Sequence, residues 1–247
     1  MRTTGNTLFI PGASSGIGLG LARRFADAGN TVVVGGRRRA LLDTVVADDP
    51  RLAAVAIDVT DPASIGDAFA EVTTRFPATN GLITMAGIMR PEDLRSLDLA
   101  TAEETVTTNL LGPLRLLHHF VPFLSRQPAA TVMTVSSGLA FVPLPATPTY
   151  SATKAAVHSL TESLRVQLAG TGVQVIELVP PAVRTGLMDR LAEDPTAMPL
   201  EEFLDEVMTI LTEQPDVQQV LVERVRMLRF AEVDGHYREV LARLSGR

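Results

Sequence analysis

"TLFIPGASSGIGLGLARRFADAG" occupies residues 7–29. An apolar run over 7–10 breaks at Pro11, glycines follow at 12, 16 and 18, and amphipathic helical sequence runs over 17–28. A strand, a glycine turn in the pattern G-x3-G-x-G and a helix have one ready use. The glycines permit a tight turn and close backbone approach, and the helix start offers free N–H groups to a diphosphate. Glycine-rich turns also serve packing, so the weight of the pattern comes from its position directly after the first strand. Gly12, Ser14, Ser15, Gly16, Ile17 and Gly18 are the residues expected to cradle the anion.

Further along, short β-branched runs recur at 31–35, 53–57, 81–87, 130–137 and 173–179. Helical stretches separate them at 39–47, 63–75, 101–125 and 150–169. Strands without polar alternation, each followed by a helix, define a parallel sheet covered on both faces. The expectation is a Rossmann-type, doubly wound α/β/α sandwich in a single domain over 1–247. Proline-punctuated sequence at 180–199 leads to helical segments near 200–212, 216–229 and 232–244, an appendage that with residues from 185 onward would form a substrate lid.

Composition narrows the function. The net charge is −6, and Arg37, Arg38 and Arg39 form the only basic run, which argues against nucleic acid. Cysteine is absent, so thiolate metal sites and disulfides are excluded. No apolar stretch approaches the roughly 20 residues of a membrane span. A soluble, cytoplasmic protein without a leader or membrane segment is expected. His118, His119 and His158 lack an acidic ligand set at metal spacing in the sequence, so they are taken as structural and no metal is expected. Glu201, Glu202, Asp205 and Glu206 are taken as a solvated helix face.

The end of the second strand bears on a nucleotide's ribose. An acidic residue there would accept from a 2′-hydroxyl. This chain has Gly36 and then Arg37 and Arg38, whose guanidinium forks suit a 2′-phosphate, so NADP(H) is favoured over NAD(H). Arg39 fits a helix start instead. Asp58 lies where it could meet an adenine edge, and Asp61 suits a helix cap.

Of 22 basic residues, Lys154 is the only lysine. It follows Tyr150 by four positions, so the two share a helix face. A phenol has a reference pKa of about 10, and a neighbouring ammonium would lower it. A compact ammonium can do this where a planar guanidinium cannot. Ser137 closes the fifth strand just before this helix.

With Gly12, Gly16, Gly18, Ser137, Tyr150 and Lys154 in view, residues 5 to 190 resemble the classical short-chain dehydrogenases/reductases. "SATKAAV" after the tyrosine, "DVTD" at 58–61 and "MAG" at 85–87 carry the same resemblance. It implies a catalytic Ser137–Tyr150–Lys154 set joined by Asn109, and a cofactor site extending over Val59, Ala86, Gly87, Val183 and Thr185. Pro113 has no N–H for the carbonyl of Asn109, so that carbonyl is free to hold the water which, in this family, links the asparagine to the lysine. The implied activity is NADP(H)-dependent interconversion of a carbonyl and a secondary alcohol, with a non-catalytic NADP(H)-binding regulator as the alternative. An epimerase or dehydratase on a related fold also uses Y-x3-K, but usually needs a longer chain.

Pro11, Met85 and Pro181 depart from the family pattern, and the usual C-terminal strand is expected to be replaced by helix. The apolar stretch "LAFVPLPATPT" with Leu187, Leu191 and Met198 is expected to line the pocket of a small, apolar carbonyl or alcohol substrate. The apolar helix over 110–124 is expected to support a homodimer.

Overall fold

The computed structural model describes residues 1–188 and 193–246. The strands are β1 (Thr7–Pro11), β2 (Thr31–Gly36), β3 (Leu52–Ala56), β4 (Gly81–Thr84), β5 (Ala130–Val135), β6 (Val173–Leu178) and β7 (Gln219–Val220). They form one parallel sheet in the order β3-β2-β1-β4-β5-β6-β7. The order reverses between β1 and β4, which places the site at the carboxyl ends of the central strands.

The helices follow from burial. All six residues of β5 are buried, so both faces of the sheet need cover. One face carries α1 (Gly16–Asp27), α2 (Arg39–Asp48) and α7 (Leu200–Glu213), with Leu21, Phe25, Leu42, Phe203 and Val207 in the core. The other carries α3 (Pro62–Arg75), α5 (Gly112–Leu124) and α6 (Pro148–Gln167), with Ile65, Val72, Leu116, Phe120 and Leu164. Phe120 stacks on Phe9 at 5.4 Å and meets Phe69 edge-on at 5.1 Å, locking α5 to the sheet. Asp61 caps α3 by accepting from the Ala63 N–H, as expected.

The stretch expected as one helix over 101–125 is broken. Helix α4 (Leu99–Val106) runs into a π-helical turn, Thr107–Leu111, before α5 begins. Here the Gly112 N–H reaches the Thr107 carbonyl, one residue beyond the α-helical partner. Pro113 is the local cause, since it cannot donate to Asn109 in the α pattern.

The C-terminal expectation also needs correction. Gln219 and Val220 pair in parallel with Glu177 and Leu178, so a short seventh strand exists inside the segment read as helix over 216–229. Val220 and Val222 are fully buried, and pairing covers the otherwise open edge of β6. Helices α8 (Glu223–Arg229) and α9 (Tyr237–Leu244) follow. The acidic face of α7 is not merely solvated: Arg24 on α1 bridges Glu201 at 2.8 Å and Asp205 at 2.7 Å. Close approach of the two helices is required too, because a Cβ at Gly20 would lie 2.3 Å from Leu204.

Candidate active site

The glycine turn leaves β1 and enters α1 at Gly16, whose φ of +56° only glycine adopts readily. Ser15 occupies the N-cap position but its side chain makes no capping bond, and no acidic residue stands in the first turn. The first N–H groups of α1 are therefore left for a ligand. Among the described residues Thr185, on the segment after β6, supplies the only atoms within 4 Å of where a Gly16 Cβ would point, the nearest at 3.5 Å. Gly12 and Gly18 have a different duty. A Cβ at Gly12 would come within 2.4 Å of the Ala86 nitrogen, so it packs the turn on the end of β4. Met85 fills space beside Gly18, its Cγ 2.9 Å from where a Cβ would stand.

Gly36 closes β2 next to Ser14, whose Oγ is 3.4 Å from a Gly36 Cβ position. Arg37 and Arg38 are exposed just beyond, without an ion pair among the described residues, whereas Arg39 bonds Asp43 at 3.2 Å. Asp58 turns inward: its Oδ1 accepts from the N–H and hydroxyl of Thr60 at 2.9 and 2.7 Å. Val59 beside it is buried, and Val183 is buried while pairing with Met198.

Asn109, Ser137, Tyr150 and Lys154 come together from the π-turn, the end of β5 and α6, and all four are buried. Asn109 is clamped to the backbone of Ile88, accepting its N–H and donating to its carbonyl, both at 2.8 Å. Gly87 makes room, since a Cβ there would lie 3.3 Å from Asn109 Oδ1 and 3.9 Å from Lys154 Nζ. Lys154 Nζ donates to the Val135 carbonyl at 2.7 Å and lies 5.5 Å from the centre of the Tyr150 ring. Ser137 Oγ accepts from the Leu139 N–H at 3.1 Å.

The electrostatics differ from the sequence expectation. Burial pushes the Tyr150 phenol up to about 12, with the Ser137 hydroxyl acting in the opposite sense. Burial brings Lys154 down to about 8. The expected lowering of Tyr150 by Lys154 is absent in this form of the site. Its ammonium is drawn to the Val135 carbonyl rather than to the phenol oxygen, and desolvation dominates.

Met89 and Met188 pack around Tyr150 with Leu139 and Leu144. In the apolar 139–148 stretch, Leu139, Phe141, Leu144 and Pro145 line a groove of about 480 Å³ with Leu94 and Tyr237, and none of Asn109, Ser137, Tyr150 or Lys154 lines it. Leu187 is exposed, but Met198 is 1% exposed and belongs to the core, so it is not a pocket residue here. Leu191 lies outside the described residues. Met89 and Met188 were missed because no motif marks them; only their folding onto Tyr150 does.

His158 corrects a second expectation. It faces Glu177 across to β6, and together with Glu162 these residues place one metal-type donor atom each within 4.8 Å of one another. In sequence the acids stand on different elements, which hides the cluster. Protein partners already use these groups: Glu162 binds Arg165 at 2.6 Å, and Glu177 accepts from Gln219 at 2.6 Å.

A glycine turn opening on an uncapped helix start and a buried serine, tyrosine and lysine stand toward the carboxyl ends of the central strands. The short chain dehydrogenase family model matches residues 6–196, and the chain belongs to this family. It is 36% identical over 237 residues to an uncharacterised oxidoreductase, DltE, of Bacillus subtilis, covering 94% of this chain and 93% of that protein. It is 32% identical to sulfoacetaldehyde reductase 2 of Chromohalobacter salexigens, over 80% of this chain and 85% of the relative. A short chain dehydrogenase from Burkholderia cenocepacia, solved in complex with NADP, superposes with a TM-score of 0.82 at 28% identity, covering 99% of both chains.

Proposed function

We propose that the protein is an NADP(H)-dependent carbonyl reductase or secondary-alcohol dehydrogenase using Ser137, Tyr150, Lys154 and Asn109. The observation that carries this reading is the convergence of those four buried groups beside the uncapped start of α1. The nicotinamide cofactor, when bound, carries the hydride. The uncapped N–H groups, Gly16 and Thr185 would hold its diphosphate end, with Ser14, Ile17, Asp58, Val59 and Ala86 along the rest. Ser137 orients the substrate oxygen, and Tyr150 donates the proton. A phenol at about 12 is protonated near pH 7, so it has a proton to give to the substrate oxygen. Lys154, at about 8, can replace that proton, and the Asn109 carbonyl holds water for the relay. The aldehyde reductase among its relatives supports a carbonyl substrate. The Met89, Leu139, Leu144 and Met188 cluster supports an apolar one, with helices α8 and α9 contributing to its cover. A panel of carbonyl compounds, monitored by NADPH consumption, tests the reading; failure of every aldehyde and ketone would sink it.

Preference for NADP(H) rests on Arg37 and Arg38, exposed at the end of β2 and without an ion pair among the described residues. Arg37→Ala should raise KM for NADPH about tenfold to hundredfold, the loss of a charge-assisted contact, while leaving KM for NADH nearly unchanged. Equal losses for both would make Arg37 a structural residue.

No helix among the described residues is long and apolar enough to cross a membrane, and the reading places the enzyme in the cytoplasm. A homodimer is part of the same reading. Most apolar side chains of α5 turn to the sheet, including Leu116, Leu117, Phe120 and Leu124, so only part of the apolar helix over 110–124 is left for a partner. Leu111 and Leu114 remain exposed, in line with His118 and Pro122. On α6 the exposed stripe is Ala152, Ala155, Ser159, Ser163 and Val166, small enough for a second copy to approach closely. Sedimentation should give two chain masses, shifting toward one in Leu114→Glu; a monomeric wild-type protein at micromolar concentration would remove the dimer.

A further inference from the structure

Glu177 is a carboxylate with no solvent exposure, placed on β6 beside the edge strand β7, and the chemistry above does not use it. Burial opposes its charge, yet hydrogen bonds led by that from His158 hold its carboxyl below the usual value. Its contacts trace a path. Both carboxylate oxygens meet His158 Nδ1 on α6, at 3.0 and 2.9 Å. Oε2 also accepts from Gln219 Nε2 on β7 at 2.6 Å. Gln219 Oε1 accepts from Arg229 Nε, at the end of α8, at 3.0 Å. The Arg229 guanidinium lies over the Phe141 ring at 4.5 Å. Phe141 returns to His158, ring centres 4.7 Å apart. The path is closed.

What it encloses is the turn carrying Ser137. Phe141 ends that turn, and Ser137 begins it as the cap of the 3-10 segment Gly138–Ala140. Helix α8 presses on the turn from outside: a Cβ at Gly138 would lie 2.6 Å from Leu228 and 2.9 Å from Val225. His158, the other anchor, lies one helical turn beyond Lys154 and two beyond Tyr150. We propose that His158, Glu177, Gln219, Arg229 and Phe141 form a ring that fixes the Ser137 turn against the helix bearing Tyr150 and Lys154, which makes Arg229 a positioning residue. The C-terminal segment is then part of the catalytic framework as well as a cover. This inference rests on the Ser137–Tyr150 reading above.

Displacing a catalytic group by about 1 Å can cost on the order of 100-fold in rate. Arg229→Met should lower kcat about 10- to 100-fold and leave NADPH affinity within about twofold, because the cofactor cradle lies on the other half of the sheet. Arg229→Lys should recover part of the rate by keeping a cation on Phe141. Phe141→Leu should repeat the kcat loss without touching a charge, which covers the case of an Arg229 variant that does not fold. The deciding measurement is a double-mutant cycle with Ser137→Ala. If Arg229 acts through Ser137, Arg229→Met adds no further kcat loss in the Ser137→Ala background. Equal fold losses in both backgrounds, or unchanged kcat in a folded Arg229→Met protein, overturn the proposal. Full activity of Ser137→Ala by itself would instead overturn the catalytic reading. Hydrogen exchange then still decides the ring: the amides of Gly138, Phe141 and Val142 should exchange faster in Arg229→Met, and unchanged exchange there refutes the clamp.

Discussion

Tyr150→Phe should reduce kcat for carbonyl reduction by about 10²- to 10⁴-fold, the range spanned by loss of a positioned proton donor. The substitution removes one oxygen and leaves the ring among Met89, Met188, Leu139 and Leu144 in place. NADPH affinity should therefore stay close to that of the wild type, and KM for substrate should change less than kcat. The phenol matters because nothing near it can take its place. Ser137 is the hydroxyl that acts on it, but a serine hydroxyl is a poorer acid and accepts from the Leu139 N–H at 3.1 Å. Lys154 is an acid with a value of about 8, yet its Nζ points to the Val135 carbonyl. Steady-state turnover with the best substrate of the panel, paired with a fluorescence titration of NADPH, checks the split. A Tyr150→Phe protein retaining a tenth or more of wild-type kcat would remove Tyr150 from the proton path.

The parts of this site visible in sequence are those whose geometry is local. A helix forces positions four apart onto one face, so Tyr150 and Lys154 could be paired without a structure. The glycine turn at 12–18 likewise carries its consequence within a few residues. The break at Asn109 was half visible: Pro113 signals a lost hydrogen bond, but not that a π-turn over Thr107–Leu111 would absorb it. Contacts made across elements were hidden. His158 meets Glu177 only because β6 runs beside the strand below α6, and Gln219 reaches Glu177 because two residues of an amphipathic segment join the sheet. There tertiary pairing overrode the local helical pattern, as an open strand edge beside buried valines makes it do. The direction of the Tyr150 shift was hidden for a different reason. Sequence identifies a charged neighbour but not the depth of burial that outweighs it.

Lys154→Met should give a protein that is inactive and more stable near neutral pH. Burial lowers the lysine from its ordinary 10.5 to about 8, so below pH 8 the folded chain carries a buried charge that the unfolded chain would carry in water. The folded value is the lower one, so the unfolded chain binds the extra proton between the two values. Wild-type stability must therefore rise as pH increases through that window. The charge costs ~3 kcal/mol at pH 7, partly offset by the charge-assisted hydrogen bond to Val135, worth ~1.5–3 kcal/mol. Removing both should stabilise the cofactor-free protein by up to about 1.5 kcal/mol, or roughly 3–6 °C in Tm for a chain of this size. The advantage should shrink toward pH 10.5, where the wild-type lysine is already neutral in the fold. Lys154→Arg behaves differently. A guanidinium stays protonated, is bulkier and planar, and cannot return a proton to Tyr150. It should lose about 10²-fold or more in kcat, as for loss of an acid–base group, and be less stable than the wild type. Thermal scans of the three proteins at about pH 7, below the window, and about pH 10, near its upper end, separate the cases beside their turnover. If Lys154→Met were no more stable near neutrality, the lysine would not be a costly buried charge. If Lys154→Arg kept near wild-type turnover, charge alone would suffice, and the single lysine among the basic residues would have no catalytic explanation.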